Sequence, residues 1–308
     1  MTVAVVVQAR MGSTRLPGKV LAPLGGMPML AFQLARLAVD PPGPVIVATS
    51  TMSRDDPIVE VAEAAGTAVV RGDEADVLNR YLTALDEHGA EHVVRLTADC
   101  PLTDPALVAE AIDLHLRSEA DYTSNVHPRS YPKGLDVEVV RATALRVAAE
   151  EATDPGEREH VTPFTVRRPR RFRLATLWSG DAALAREWWT VDRPEDLEDL
   201  RATIEGLDDP IGAPWRAVLA ARGRRRGPGA DELWLRPEAP PAPGSVPWTT
   251  TWEAVRGRSN EGQVRLAVDD GVGTVTYDTP PPVSAVLALV NAAVADTVQV
   301  AVRPAGPR

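Results

Sequence analysis

A single cysteine, Cys100, stands in 308 residues. No disulfide can form within the chain, and a reducing, cytoplasmic setting is expected. Long apolar runs are missing too. None approaches the ~20 residues of a membrane span, and Val3–Val7 is too short for the apolar core of a secretory leader. A membrane partner is therefore not expected. The formal net charge is −10, the opposite of the basic footprint that nucleic acid requires. The local clusters Arg167, Arg168, Arg170, Arg171 and Arg222, Arg224, Arg225, Arg226 read as solvated edges or linker. The five histidines (His88, His92, His115, His127, His160) show no metal-ligand spacing, which argues against zinc. Both common nucleotide signatures are absent. Five residues, not four, separate Gly12 from Gly18-Lys19, Val20 stands where a Walker hydroxyl should be, and no G-x-G-x-x-G occurs.

What is present is the stretch Val3–Leu21, VAVVVQARMGSTRLPGKVL. Val3–Val7 is a short β-branched run suited to a buried strand. It opens into Gln8, Arg10, Arg15 and Lys19, spaced by Gly12, Ser13, Pro17 and Gly18. A strand that ends in a glycine-containing loop with three cations is a device for holding phosphates at the carboxyl end of a sheet. The alternative is an ordinary charged βα loop.

Strand and helix then alternate. The spacing predicts a helix over Pro28–Ala38, a strand at Val45–Thr49, and a helix from Pro57 to about Ala65 capped by Asp55 and Asp56. A third strand at Thr67–Val70 precedes a turn, Arg71-Gly72-Asp73-Glu74, and a helix over Asp76–His88. Val93–Leu96 is the fourth strand. Four such units predict an α/β fold with a mostly parallel sheet covered on both faces, with ligands outside the strands' carboxyl ends.

Asp99 sits at such an end, where a carboxylate can hold Mg²⁺ against phosphates or cap the turn before Pro101. Thr103 and Asp104 are better cap candidates, since Pro105 starts the next helix. Cys100 has no activating base nearby in sequence and reads as packing. Asp136 and Glu138 alternate with Leu135, Val137 and Val139. They face either the solvent side of an edge strand or a substrate. His160, in Glu157–Pro163, serves either structure or catalysis. Asp192, ahead of Pro194-Glu195-Asp196-Leu197, reads by itself as a helix N-cap at the end of a short strand.

QARMGSTRLPGKVL closely resembles the opening motif of cytidylyltransferases of the spore-coat-polysaccharide type, relatives of the CMP-Kdo and CMP-sialic acid synthetases. The later pieces TADCP, YPKGLDVEV, EREHVTP and TVDRPEDL fall in that family's order. The resemblance covers roughly residues 2–205. It implies a Rossmann-like sheet of the nucleotidyltransferase (glycosyltransferase-A-like) type that transfers CMP from CTP to a sugar acid or related acceptor, with Mg²⁺ as cofactor and pyrophosphate as leaving group. It assigns Arg10, Arg15 and Lys19 to the phosphates, with Ala9, Gly12 and Ser13 lining the loop. Gln8, Arg71, Gly72 and Arg80 would neighbour base and ribose, and Lys133, Asp136, Glu138, Arg158 and His160 the acceptor. Asp99 and Asp192 would converge on one metal ion. A homodimer is implied. Two departures stand out: Ala98 where the family often has Gly, and Lys133 where it usually has Arg, a point charge in place of a planar fork.

Residues 1–207 would then be the catalytic domain and 208–247, rich in Pro and Arg, a linker, parts of which Trp215 and Trp234 lay against a domain. Residues 248–308 read as a small α+β unit of ββαβ type. It contains strands at Gln263–Val268 and Val272–Tyr277 around an Asp269-Asp270-Gly271 turn. A helix over Val283–Ala295 and a strand at Thr297–Val302 complete it. Two other classes remain. A sugar-nucleotide glycosyltransferase would need an Asp-x-Asp motif that Asp-Glu-Ala-Asp at 73–76 does not match. A non-catalytic nucleotide sensor would not need its cations and carboxylates intact.

Overall fold

The computed structural model describes residues 2–222 and, beyond them, five strands: Trp234–Pro237, Trp252–Val255, Val264–Asp269, Val272–Tyr277 and Gln299–Pro304. Chain order begins with β1 (Val3–Gln8), the short strands β2 (Pro23–Leu24) and β3 (Met27–Pro28), α1 (Met29–Val39), β4 (Val45–Ser50), α2 (Asp56–Ala64) and β5 (Ala68–Gly72). There follow α3 (Val77–His88), β6 (His92–Thr97), α4 (Pro105–Arg117), β7 (Tyr122–Ser124), β8 (Glu138–Arg141) and α5 (Ala142–Glu151). Then come α6 (Pro155–His160), α7 (Pro163–Val166), β9 (Leu174–Thr176), α8 (Pro194–Glu205) and α9 (Trp215–Arg222).

One seven-stranded sheet organises the domain, in the order β5-β4-β1-β6-β8-β7-β9. β8 alone runs against its two neighbours, and the remaining pairings are parallel. β1 is central and buried on both faces, which is why it reads as an uninterrupted apolar run. Its alternation divides the core. Val5 and Val7 join the apolar faces of α1, α4, α8 and α9 together with Trp189, and Ala4 and Val6 join those of α3, α5 and α7.

Local chemistry explains the elements. Asp76 caps α3 through Asn79 N, Asp104 caps α4 through Ala106 N and Leu107 N, and Asp154 caps α6 through Gly156 N. Proline occupies the first turn of α2, α4, α6, α7 and α8, where its missing N–H leaves no bond unmade. Gly89, at φ +60°, ends α3.

Several expectations need correction. The hairpin β2–β3, turning through Gly25 and Gly26, was not expected: two residues per strand carry no periodicity. Arg71 and Gly72, expected in a turn, finish β5. Asp55 makes no cap bond to α2. The strand expected to end at Asp192 is reduced to one bridge, Lys133 to Trp188. β8 is no edge strand but lies between β6 and β7.

The segment expected to open a linker at 208 instead continues the domain. Trp215 and Val218 are buried in the core, Trp215 N donates to Asp104 Oδ2 at 2.7 Å, and Arg36 binds the carbonyls of Pro210, Ile211 and Ala213. Further on, β10 (Trp234–Pro237) pairs antiparallel with β11 (Trp252–Val255), and β12 (Val264–Asp269) antiparallel with β13 (Val272–Tyr277). β14 (Gln299–Pro304) adds to β13 in parallel. The helix expected at 283–295 lies outside the described residues, as does most of 223–263.

Candidate active site

The loop after β1 lies at the carboxyl end of the sheet, and each of its turns is tied down. Ala9 N donates to Ala48 O at 3.0 Å. Met11 N donates to the buried carboxylate of Asp55 at 2.8 Å, and Met11 O accepts from Ser13 N and Gly18 N. Ser13 Oγ accepts from Leu16 N, and a 3-10 turn over Lys19–Leu21 closes the loop. Gly12 is exposed and Ser13 half-buried, so the loop presents backbone as well as cations to solvent. Arg10 and Arg15 are exposed at its mouth, Arg10 beside Glu159 at 3.3 Å and Arg15 beside Asp192 at 2.8 Å.

Lys19 points the other way, into the protein, and is 8% exposed. Its Nζ donates to Asp99 Oδ2 at 3.0 Å, Val191 O at 2.7 Å and Asp192 Oδ1 at 3.2 Å. Asp99 and Asp192, remote in sequence, thus meet at one cation, the Lys19 ammonium. Their segments are stitched together by Val191 N to Asp99 O at 2.8 Å and Thr190 Oγ1 to Asp99 O at 3.2 Å. Thr97 Oγ1 donates to Asp99 Oδ1 at 2.5 Å, and Asp196 accepts from the backbone N–H groups of Asp192 and Arg193. Burial alone would raise the Asp99 pKa. The Lys19 charge and the hydrogen bonds from Thr97 and Lys19 outweigh it and hold the carboxyl below its usual range. Asp192 is therefore not the N-cap; Arg193 occupies that position. Burial, with the charges of Asp99 and Asp136, pushes the Cys100 thiol up. It stays protonated and serves packing.

At the sheet's carboxyl end a cationic loop thus stands over two convergent carboxylates. Among known proteins, the cytidylyltransferase family model matches residues 4–204. The chain belongs to the cytidylyltransferase family. It is 32% identical over 207 residues to spore coat polysaccharide biosynthesis protein SpsF of Bacillus subtilis, covering 65% of this chain and 85% of SpsF. It is 31% identical over 230 residues to a 3-deoxy-manno-octulosonate cytidylyltransferase of Mesorhizobium japonicum, covering 67% and 88%. A solved cytidylyltransferase from Leptospira borgpetersenii superposes with a TM-score of 0.69 at 31% identity, over 71% of this chain and 93% of that one. The protein is a CTP-using nucleotidyltransferase. No helix among the described residues is long and apolar enough to cross a membrane.

The remaining site residues of this cytidylyltransferase divide into two groups. Gln8 accepts from Tyr81 OH at 3.2 Å at the end of β1. Arg80, 2% exposed, gives one long bond to Glu74 O, while its Nε and Nη1 have no hydrogen-bond partner. Burial lowers its pKa. Gly72 packs against the Arg80 stem. Lys133 lies with Nζ 3.5 Å above the Trp188 ring, and burial lowers its pKa although Asp192 and Asp136 act to raise it. Asp136 receives both Nη atoms of Arg129, at 2.5 and 2.7 Å. These side chains border the carboxylate pair or the loop.

Others are spent on structure. Arg71 clamps Ser50 O, Met52 O and Asp56. Arg158 binds Asp76 and Ala149 O, joining α6 to α3. His160 is exposed at the end of α6. Glu138, neither solvent-facing nor acceptor-facing, is 6% exposed and paired with Arg95, and it accepts from Tyr122 OH and Thr162 Oγ1. Sequence reasoning missed Asp55, Thr97, Arg129 and Trp188. Asp55 looked like a helix cap, and the other three belong to no spacing pattern.

Proposed function

We propose that this cytidylyltransferase transfers CMP from CTP to an oxygen of a sugar acid or related sugar, releasing pyrophosphate with Mg²⁺ as cofactor. The observation that carries this reading is the convergence of Asp99 and Asp192 on one cation beneath the Arg10/Arg15 loop. The donor set fits Mg²⁺: hard carboxylate oxygens already gathered around the Lys19 ammonium, which stands in for a cation. Among the described residues there is no cluster of three or more His, Cys, Asp or Glu able to cage a metal. Two carboxylates with phosphate and water oxygens are the usual arrangement for Mg²⁺. When bound there, the ion supplies charge neutralisation at the α-phosphate.

The chain's own residues do the rest by positioning and charge. Arg10 and Arg15, exposed at the mouth, meet the β- and γ-phosphates. The acceptor hydroxyl gives its proton to water as its oxygen bonds to the α-phosphorus and the bond to the bridging oxygen breaks, and Arg15 stabilises the charge that pyrophosphate carries away. Lys133 on the Trp188 face, with the Arg129–Asp136 pair behind it, offers a cation to an acceptor carboxylate. The names of SpsF and of the octulosonate enzyme support an acceptor of the cell-surface sugar class.

A thermal-shift panel of CTP, UTP, GTP, ATP and NAD with Mg²⁺, followed by a pyrophosphate-release assay, tests the reading. A ligand of the native state raises apparent stability by mass action. Stabilisation by CTP, lost in Arg15→Ala and Asp99→Asn, is expected. Stabilisation by NAD with no pyrophosphate from any acceptor would overturn it.

A further inference from the structure

Lys19 is placed unusually for a residue of a phosphate loop. An ammonium has three N–H bonds, and each finds a protein oxygen: Asp99 Oδ2, Val191 O and Asp192 Oδ1, at 3.0, 2.7 and 3.2 Å. The side chain is buried. No N–H remains to meet a phosphate. Arg15 brings a second cation to Asp192 Oδ1 at 2.8 Å, so the two carboxylates face two positive charges and the cluster is neutral.

We infer that Lys19 is a built-in counter-cation that keeps the Asp99–Asp192 pair closed to free divalent metal, so that metal enters only together with the nucleotide triphosphate. The inference rests on the metal reading of the preceding section. A free divalent ion at this pair would meet a cation already within 3.0 and 3.2 Å of the oxygens it needs. Repulsion at such separations is strong where water is scarce, and only two carboxylates would be gained in return for hydration shed. The metal–triphosphate complex arrives with negative charge of its own. It offers Lys19 a second set of oxygens, so Nζ can pass from Asp99 to a phosphate without ever being unpaired. Arg15, more than half exposed, can make the same exchange more easily. The phosphate-binding role that the loop sequence implies for Lys19 is then its role after the exchange.

Two consequences separate this arrangement from a preformed metal site. Metal affinity of the nucleotide-free protein is low, and metal and nucleotide raise each other's affinity by the same factor, as linkage requires. Without the Lys19 charge, the carboxylate pair becomes an acidic site open to free metal.

The experiment is Mn²⁺ binding to the full chain, followed by the loss of the free-ion electron paramagnetic resonance signal. It is run on wild type and Asp99→Asn with and without a non-hydrolysable CTP analogue, on nucleotide-free Lys19→Met, and on Lys19→Met/Asp99→Asn. The nucleotide-free wild type should bind Mn²⁺ at least about tenfold more weakly than Lys19→Met, the scale expected for removing one nearby unit charge. The added Asp99→Asn change should abolish that gain. Tight binding of Mn²⁺ to nucleotide-free wild type would overturn the inference, and this arm holds even if Lys19→Met does not fold. A folded Lys19→Met, checked by circular dichroism, that gains no affinity would overturn it as well. The metal reading has its own readout: Mn²⁺ should tighten analogue binding to wild type, and Asp99→Asn should cancel that tightening. If Asp99→Asn leaves it intact, the metal lies elsewhere and both readings fall; if it cancels while Lys19→Met gains nothing, only the counter-cation is refuted.

Discussion

Asp55 reaches across 44 positions to accept the backbone N–H of Met11 at 2.8 Å, while its other oxygen takes the hydroxyl of Ser50. The residue is fully buried, so the loop after β1 is fastened from beneath by a carboxylate that sequence reading placed on a helix end. Asp55→Ala leaves Met11 N and the Ser50 hydroxyl without their acceptor and frees the loop. The expected result is weaker CTP binding with a smaller effect on the chemical step, seen as a rise in KM that exceeds any fall in kcat. An unfolded variant is distinguished by its melting curve.

Asp99→Asn keeps the shape of the side chain and removes its charge. Turnover should fall by at least about 100-fold, the scale of losing one preorganised electrostatic contact to a transition state, with the fold retained. Steady-state pyrophosphate release and circular dichroism on the same preparation check both halves. Wild-type turnover would remove Asp99 from the mechanism.

Gly134 has φ +112°, and a Cβ there would come 2.5 Å from the backbone carbon of Trp189. The tight approach lets Trp189 N bond to Lys133 O at 2.6 Å, which fixes Lys133 beside Trp188. Gly134→Ala should cost roughly 1–3 kcal/mol through backbone strain alone, measured by denaturant unfolding, and should raise KM for the acceptor more than for CTP.

At the opposite edge of the sheet, His92 Nδ1 and His115 Nε2 lie 3.0 Å apart, and His115 Nδ1 meets Thr123 Oγ1 at 2.9 Å. Burial, then the charges of His92 and Arg141, lowers the His115 pKa to about 3. Its folded pKa lies below its unfolded value of about 6.5, so between these limits the unfolded chain binds the extra proton. The contribution of His115 to stability is complete above about pH 6.5 and declines as pH falls, by up to about 1.4 kcal/mol per pH unit. Melting temperature should drop between pH 6.5 and 5, and His115→Gln should flatten that slope.

Truncation separates core from tail. Ending the chain after Arg222 leaves Trp215 and Val218 in the core and the Asp104–Trp215 bond in place, and CTP should still stabilise the product. Ending it after Gly206 removes all three and should give insoluble or unstable protein. Equal behaviour of the two truncations would show that α9 contributes nothing to the core.

The legible parts of the fold were those that local chemistry dictates. β1 declares itself because a strand buried on both faces must be apolar throughout, and α3 and α4 because Asp76 and Asp104 cap them. The loop and the Asp99–Asp192 convergence were legible through a long family motif; spacing by itself left Asp192 as a cap. What the sequence does not carry is the identity of a charge's protein partners. Arg71, Arg158 and Glu138 are charged in the right places, yet whether a charge faces ligand or protein depends on neighbours supplied from elsewhere: Asp56, Asp76 and Arg95. Proline-rich composition suggested a linker from 208 onward with Trp215 laid against a domain; Trp215 does pack there, and with Val218 it carries the segment as far as Arg222 into the core.

The contacts of Lys19 span 80 positions to Asp99 and 173 to Asp192. A chain growing on the ribosome therefore exposes the loop first, acquires Asp99 midway, and obtains the second carboxylate only when the domain is nearly whole. CTP has no complete pocket to recognise before that moment. The nucleotide cannot template early folding; it can only capture the assembled domain, so ligand protection from proteolysis begins once the Asp192 segment has joined the fold and not before.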